Sequence, residues 1–440
     1  GYTTRTFTSD LVAGLTVGLV ALPLAMAFAI SSGVKPEAGI YCAIVAGLIT
    51  TLFGGSKTQI AGPTGAFVVI VYGIAQTHGV QGLYIATFMA GVILVVMGVT
   101  GLGSAVDYLP RPVLVGFTNG IAVLIASTQI KDFFGLEIEK VPGEFVERIA
   151  SIGDHWHTVN APAAFTALLC LGLLVLFRAK YDEVPGAIVV MVVGTVGVFV
   201  LGLQVETIET TFGGIPQGLP KVSAPHFDLA QARSLVGPAF TIAMLGAIES
   251  LMSAVVADKM SKDKHNPNTE LFAQGVANVV SPLVGGIPVT GAIARTATNI
   301  RSGAKTPVAG IVHSAVLVVV LMVGAPLAKH IPLSVLAAIL LMVAYNMGEW
   351  AEIPWILRLT RADRAVWAIT FGLTVFADLT VAVTAGMVMA ALLYIKGVTD
   401  TTTVSEATEA LIHWLGTPFT GDERHVRRLR KIEEMTRMSA

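Results

Sequence analysis

The sequence predicts an all-α polytopic membrane protein, from its composition and from its succession of long apolar runs. Of the 440 residues, 54% are hydrophobic and 13% are charged, and the mean hydropathy is +0.75. Soluble domains average about 25% charged residues, and a soluble chain this apolar would expose large apolar patches to water. At about 20 residues per crossing, the chain has room for roughly 12 to 14 transmembrane segments.

We predict 14 transmembrane segments, most of them long enough to span the hydrocarbon core. Two segments, 63–77 and 290–302, are short, follow Gly and Pro residues and are not purely apolar. The predicted segments are 11–31, 37–53, 63–77, 82–103, 112–130, 161–178, 184–203, 234–257, 268–282, 290–302, 306–325, 331–347, 364–378 and 380–397.

Basic residues are distributed unevenly between alternate loops. The loops on the side of the N-terminus, which include Lys57, Arg111 and Lys259, carry more Lys and Arg than the opposite loops. Cytoplasmic loops of membrane proteins are enriched in Lys and Arg. Because the predicted number of segments is even, we expect both termini in the cytoplasm.

Several classes of function are disfavoured by motifs that the sequence lacks. The net charge of −1 gives no reason to expect nucleic acid as a partner. Cys42 and Cys170 lie in apolar runs, which is typical of small buried side chains rather than of a disulfide or a metal site. The chain has no P-loop, HExxH or GxSxG motif. We therefore expect no enzyme activity, no cofactor and no metal.

A short motif recurs once along the chain. Thr64-Gly65-Ala66 is repeated as Thr290-Gly291-Ala292, 226 residues later, and the Leu-Pro and Ile-Pro pairs at 109–110 and 331–332 recur at an offset of 222. Two short motifs that each recur at nearly the same offset favour an internal duplication. Seven segments per half would give the halves opposite topology, so we predict inverted repeats at 1–210 and 225–400, a transporter pattern.

The two short segments predict an anion site. Gly62-Pro63 and Ile287-Pro288 are expected to end extended stretches and to precede half-helices within the membrane. A helix N-terminus has free N–H groups and a partial positive charge, so two facing N-termini can hold an anion. The alternative is a proline kink in each of two ordinary spans.

Two of the ionisable residues within the predicted segments are candidates for a function, because charge at membrane depth is costly and usually functional. Arg295 lies in the second short segment and could complete the anion site, balance a carboxylate or extend toward the cytoplasmic interface. Glu249 lies midway through the eighth segment with no Lys or Arg nearby in sequence. It could carry a coupling proton, bind a coupling Na⁺, or only fix helix packing through a hydrogen bond.

Four stretches of the chain resemble the SulP sulfate permease family of anion transporters and channels, and the resemblance extends to about residue 400. They are 14–29 (GLTVGLVALPLAMAFA), 54–64 (GGSKTQIAGPT), 248–251 (IESL) and 285–296 (GGIPVTGAIART). The resemblance implies 14 segments in two inverted repeats of seven, divided into a core and a gate domain. It also implies that helices 3 and 10 are half-helices with the anion site between them.

The resemblance also assigns site residues by matching position. The substrate-binding residues implied at the first half-helix are Thr64, Gly65 and Ala66, and Glu249 lies on the eighth helix. At the second half-helix they are Gly291, Ala292, Ile293, Ala294 and Arg295.

The sequence departs from the family pattern at two places. Leu24 follows Pro23, where family members often have Gln, so a polar side chain that could touch the anion is missing. Members usually end in a cytoplasmic STAS domain, whereas residues 401–440 read as a basic tail where that domain would begin or has been removed.

Together these features predict a secondary active transporter of small anions of the dicarboxylate, bicarbonate, sulfate or chloride class. We expect proton-coupled symport by alternating access, with Glu249 as the coupling residue, H⁺ rather than Na⁺ as the coupling ion, and a bacterial inner membrane as the location. The expected partners are the anion, the coupling ion, the lipid bilayer and a second copy of the chain in a homodimer. The alternatives are an anion channel of the same fold and a nucleobase–cation symporter.

Overall fold

A computed structural model of the chain describes residues 2–103, 111–139, 141–180, 186–220, 222–225, 229–377 and 385. These residues belong to one compact unit, Gly1–Met387. Apart from residue 385, the predicted last segment at 380–397 lies outside the described residues, and so do the predicted tail at 401–440 and the Leu-Pro pair at 109–110.

The described chain is almost entirely helical, which confirms the predicted all-α class. The helices are α1 Thr4–Ser31, α2 Pro36–Phe53, α3 Gly65–Thr100, α4 Arg111–Phe134, α5 Phe145–Asp154, α6 Ala161–Lys180, α7 Gly186–Leu201, α8 Ile208–Phe212, α9 Leu229–Ser234, α10 Val236–Ser261, α11 Pro267–Val280, α12 Ile293–Arg301, α13 Val308–Val319, α14 Ala325–Ala328, α15 Leu333–Met347, α16 Ile353–Ile356 and α17 Arg361–Phe376. Two short strands, β1 Ala61–Gly62 and β2 Thr290–Gly291, form the described sheet.

Eight helices of the described part are long and apolar enough to cross a membrane, and Gly186–Leu201 is a shorter apolar helix. The predicted total of 14 segments stays a prediction. The longest helix, α3, contains a break at Gly79, whose φ of 68° and ψ of 178° are not helical. Glycine adopts this backbone conformation without a steric penalty. The break separates the short segment predicted at 63–77 from the next one, so α3 begins with a half-helix.

The helices pack as two groups. The core group consists of α1–α3 and α10–α13, and the gate group consists of α4–α7, α15 and α17. Each group takes helices from both predicted halves of the chain. The half-helices α3 and α12 both belong to the core group, and α1 and α3 also contact α4 of the gate group.

Glycines allow close packing inside the core group. A side chain at Gly18 of α1 would collide with Val316 of α13, because an added Cβ would lie 2.8 Å from the Val316 Cβ. Small residues at such crossings let helix backbones approach closely, which favours helix association in lipid.

A buried carboxylate on α1 holds the loop that joins α12 to α13. Asp10 is fully buried. It accepts hydrogen bonds from Lys305 N at 2.7 Å, Thr306 N at 3.2 Å and Thr306 Oγ1 at 2.5 Å. Ser9 adds a bond from its Oγ to Gly303 O at 2.6 Å. The C-terminal end of the second half-helix is thereby tied to α1.

We expect Asp10→Ala to destabilise the protein by about 3 kcal/mol, because it removes the one buried acceptor that three donors of the α12–α13 loop share. The measurement is thermal unfolding of the detergent-purified protein. Asp263→Ala is the matched control, since Asp263 forms an exposed ion pair with Lys57 at 2.7 Å, and such pairs contribute less than about 1 kcal/mol. Equal melting temperatures for the two variants would refute the role given to Asp10.

Candidate functional site

The extended stretches that precede the two half-helices pair with each other. Strands β1 and β2 are antiparallel, with Ala61 opposite Gly291 and Gly62 opposite Thr290. Ala292 N extends the ladder by donating to Ile60 O at 2.8 Å. Backbone polar groups at membrane depth must find partners inside the protein, and this pairing supplies them.

A helix begins directly after each strand. Thr64 is the N-cap residue of α3 and Ala292 that of α12, and neither side chain caps its own helix. The first N–H groups of each helix therefore lack a side-chain cap, and they carry the partial positive charge of a helix N-terminus. The strand pairing brings these two N-termini to the same region, as the half-helix prediction required.

The described site residues differ in exposure. Thr64, Gly65, Ala66, Gly291 and Ala292 are buried, whereas Ile293 and Ala294 are exposed on the first turn of α12. The first turn of α12 therefore presents one open face. The substrate-binding role of these seven residues stays a prediction.

The surroundings of the α3 N-terminus are apolar. A Cβ added at Gly65 would lie 2.8 Å from Ile125 Cδ1 and from Met347 Sδ, and 3.3 Å from Phe28 Cε1. Ile125 and Met347 belong to the gate group and Phe28 to the core group. The half-helix N-terminus thus lies at the boundary between the two groups, and Leu24 is buried one turn before Phe28 on α1.

Arg295 lies on the buried face of α12. It is 2% exposed, with Thr296 and Asn299 on the same face. Its Nη2 donates to Pro63 O at 2.6 Å, and its Nη1 has no hydrogen-bond partner among the residues that the structure describes. Its guanidinium fills the space beside Gly62, where an added Cβ would collide with Nη1. Arg295 therefore joins the second half-helix to the first stretch, and its side chain is buried within the protein.

Glu249 is linked to the first half-helix by a hydrogen bond. Thr64 Oγ1 donates to Glu249 Oε2 at 2.7 Å. Within the described part of the chain, no ion pair joins Glu249 to Arg295. The N-cap residue of α3 therefore reaches a carboxylate on α10 rather than its own helix.

Buried polar side chains that the sequence analysis did not single out hold the strands. Gln59 Nε2 donates to Ser250 O at 3.1 Å, Ile60 N donates to Thr296 Oγ1 at 3.0 Å, and Asn299 Nδ2 donates to Thr58 O at 2.9 Å. On the other strand, Thr290 Oγ1 donates to Gly246 O at 2.8 Å. Several of these residues lie inside the stretches 54–64 and 285–296. Polar residues close to a Gly or Pro break in an apolar region were therefore the signal by which the sequence could have identified them.

A second buried carboxylate fixes the chain just before β1. Glu270 of α11 accepts hydrogen bonds from Gly55 N at 2.9 Å, Ser56 N at 3.3 Å and Gln274 Nε2 at 2.9 Å. It thereby stabilises the turn from which the first extended stretch enters the membrane region.

The sequence and the fold both have known relatives. The profile of the sulfate permease family matches residues 7–370. The chain is 46% identical over 405 residues to the putative sulfate transporter YvdB of Bacillus subtilis, an alignment covering 92% of this chain and 76% of YvdB. It is 32% identical over 404 residues to the bicarbonate transporter BicA of Picosynechococcus sp., covering 89% of this chain and 71% of BicA.

Solved structures agree with this assignment. The transmembrane domain of a cyanobacterium bicarbonate transporter BicA superposes with a TM-score of 0.78 at 31% identity, covering 87% of this chain and 98% of that domain. The structure of SLC26A9 shares the fold, with a TM-score of 0.80 at 21% identity over 90% of this chain and 66% of that one. The chain therefore belongs to the sulfate permease family, and it is an integral membrane transport protein rather than an enzyme.

Proposed function

We propose that the protein is a secondary active carrier that moves small anions across a bacterial inner membrane by alternating access, together with a proton carried on Glu249. The observation that carries the proposal is the β1–β2 pair, which brings the N-termini of α3 and α12 together beside Glu249. Relatives described as sulfate and bicarbonate transporters support an anion as the substrate.

Anion binding follows from the charges around the strand pair. Two helix N-termini contribute partial positive charge. Arg295 adds a full charge just behind the strands, hydrogen-bonded to a carbonyl rather than paired with a carboxylate. Because this charge is not neutralised by a described neighbour, the site has a net attraction for an anion.

Proton coupling follows from the position of Glu249. An ionised carboxylate hydrogen-bonded to the α3 N-cap residue would repel an anion bound at that N-terminus. Protonation of Glu249 removes this repulsion, so the proton and the anion favour each other's binding. Reciprocal coupling of this kind is the thermodynamic requirement for symport.

Thr64 connects the two binding events in this mechanism. While Glu249 is ionised it can only accept a hydrogen bond, so the Thr64 hydroxyl donates to it. Once protonated, the Glu249 carboxyl can donate to Thr64 Oγ1, and the hydroxyl proton of Thr64 becomes free to point at the anion. Proton binding thereby adds a donor to the anion site.

Alternating access is supported by the place of the site in the packing. Thr64, Glu249 and the strands belong to the core group, whereas Ile125 and Met347 of the gate group cover Gly65. Movement of the core group past these side chains would open the site first to one side of the membrane and then to the other.

The walls of the site favour a small substrate. The donors lie on the side of the helix N-termini, and Phe28, Ile125 and Met347 form an apolar opposite wall. A hydroxyl or amide from α1 is missing because Leu24 is apolar and buried. We therefore test the compact inorganic anions, bicarbonate, chloride and sulfate, before the larger dicarboxylates.

The test of the function is uptake into proteoliposomes that contain the purified protein. We expect saturable uptake of at least one of bicarbonate, sulfate, chloride or a dicarboxylate, accumulating against its gradient when the outside is acidic. Uptake that only follows the electrochemical gradient of the anion would support a channel and contradict the carrier. Replacing the pH gradient with a Na⁺ gradient distinguishes H⁺ from Na⁺ as the driving ion.

Glu249→Gln is expected to abolish acceleration of uptake by an inward proton gradient and to lower accumulation at least roughly ten-fold, the equivalent of about 1.4 kcal/mol of lost coupling. Gln keeps the shape and a hydrogen bond to Thr64 but cannot carry the proton. Glu352→Gln is the matched control, because Glu352 also has one side-chain partner, Arg111 at 2.8 Å, and that partner is exposed on the gate group rather than part of the strand pair. Unchanged proton-dependent uptake by Glu249→Gln would exclude the coupling role.

A further inference from the structure

We propose that residues 141–148, together with Tyr72 and Gln129, form a latch that holds the core group and the gate group closed at one end of the molecule. This end carries α5, and we call it the α5 end. The inference rests on the proposed alternating-access function, because a latch has meaning only if the two groups move apart.

The latch segment is attached firmly to the gate group. Arg148 of α5 is 1% exposed, and its Nη1 donates to Ser127 Oγ of α4 at 3.0 Å. The same guanidinium donates from Nε to Pro142 O at 3.1 Å and from Nη2 to Gly143 O at 2.6 Å. Three bonds from one buried cation fix the loop before α5 on α4, since hydrogen bonds from charged donors are the strong ones.

An aromatic contact adds to this attachment. The ring of Phe145 at the start of α5 lies 5.6 Å from that of Phe376 on α17, nearly perpendicular to it at 84°. Edge-to-face pairs of this kind stabilise the contact beyond their buried area. Residues 141–148 are thus expected to move with α4 and α17.

The same segment reaches across to the core group. Tyr72 lies midway between the start of α3 at Gly65 and the break at Gly79, and its hydroxyl donates to Val141 O. On the core side, its ring lies against Gly33, where an added Cβ would come within 3.1 Å of Tyr72 Cδ2. Gly33 has a φ of +73°, so a side chain there would be strained as well as crowded. Tyr72 is therefore held between a core-group turn and the gate-group loop.

A second hydrogen bond joins the two groups at the same end. Gln129 of α4 is 2% exposed, and its Nε2 donates to Ser31 Oγ at 3.0 Å, at the last residue of α1. Both bridging bonds are partly buried. Opening of the α5 end must break them, and the groups on each side stay unsatisfied until water enters.

The latch thus biases the carrier toward the state that is closed at the α5 end. A net hydrogen bond of ordinary strength changes an equilibrium by a factor of about 5. Removing one bridging bond should therefore raise the open population about five-fold, while the anion site and Glu249 are untouched.

The test is a distance measurement between spin labels on the two groups at the α5 end. Val80 of α3 and Ile149 of α5 are both exposed, and Cys substitutions there can be labelled after the buried Cys42 and Cys170 are replaced by Ala. In the full chain in lipid nanodiscs, we expect two distances. Tyr72→Phe, which removes only the hydroxyl, should raise the population of molecules at the longer distance about five-fold.

Tyr84→Phe is the matched control. Tyr84 also lies on α3, and its hydroxyl donates to Gly285 O at 3.2 Å. Gly285 lies in the chain between α11 and β2, so this bond does not join the core group to the gate group. We expect this variant to leave the two populations as in the parent protein. If Tyr72→Phe does not fold, Ser31→Ala, which removes the acceptor of Gln129, takes its place with the same expected direction.

The outcomes separate the latch from the carrier. If two distances are found and neither Tyr72→Phe nor Ser31→Ala changes their populations, the latch is overturned and alternating access stays intact. A single unchanging distance in every variant, with and without anion, would overturn alternating access and the latch with it. An equal shift in Tyr84→Phe would show a general loosening of α3 and would also overturn the latch.

Discussion

The need to satisfy backbone hydrogen bonds away from water governs this structure. Around β1 and β2 the chain is extended, and each unpaired N–H or C=O in an apolar environment costs several kcal/mol. The two extended stretches solve this by pairing with each other and with buried side chains such as Gln59, Thr296 and Asn299. The solution fixes where both half-helices begin, and so it fixes the site.

The same constraint explains why a cation is buried behind the strands. An isolated charge in the membrane interior is costly, and pairing it with a carboxylate would cancel its field. Arg295 instead donates to Pro63 O, which stabilises the strand pair without neutralising the charge. Gly62 has no side chain to exclude the guanidinium. One residue thus serves the fold and the electrostatics of the site, and replacing it perturbs both.

Hydropathy was sufficient to predict the helical class, because an apolar helix of about 20 residues is the simplest structure in which a chain can cross lipid. The Thr-Gly-Ala motif marked both regions, because its first copy begins two residues after β1 and its second copy contains β2. Gly and Pro interrupt helices where the chain must be extended. The separation of segments 63–77 and 82–103 matches the break at Gly79. These features are local, so a single sequence contains them.

Long-range contacts could not be predicted in this way. The Thr64–Glu249 bond joins residues 185 positions apart, and the direction of Arg295 depends on which face of α12 packs inward. Both follow from tertiary packing, which the hydropathy of a sequence does not reveal. Arg148 shows the limit most clearly, because a loop cation in the sequence is almost completely buried in the structure and holds the segment before α5.

In the proposed mechanism, the coupling of proton and anion takes place within the core group, whereas opening takes place between the core group and the gate group. Thr64, Glu249 and Arg295 all lie in the core group, so in the proposed mechanism the proton and the anion both bind within one packed unit. To change sides, that unit must pass the apolar side chains of Ile125 and Met347. Moving an uncompensated charge past an apolar wall is costly. In the proposed mechanism, a monovalent anion bound beside Arg295 with Glu249 protonated, or an empty site with Glu249 ionised, leaves no net charge. These two states would therefore pass more easily than a half-loaded one.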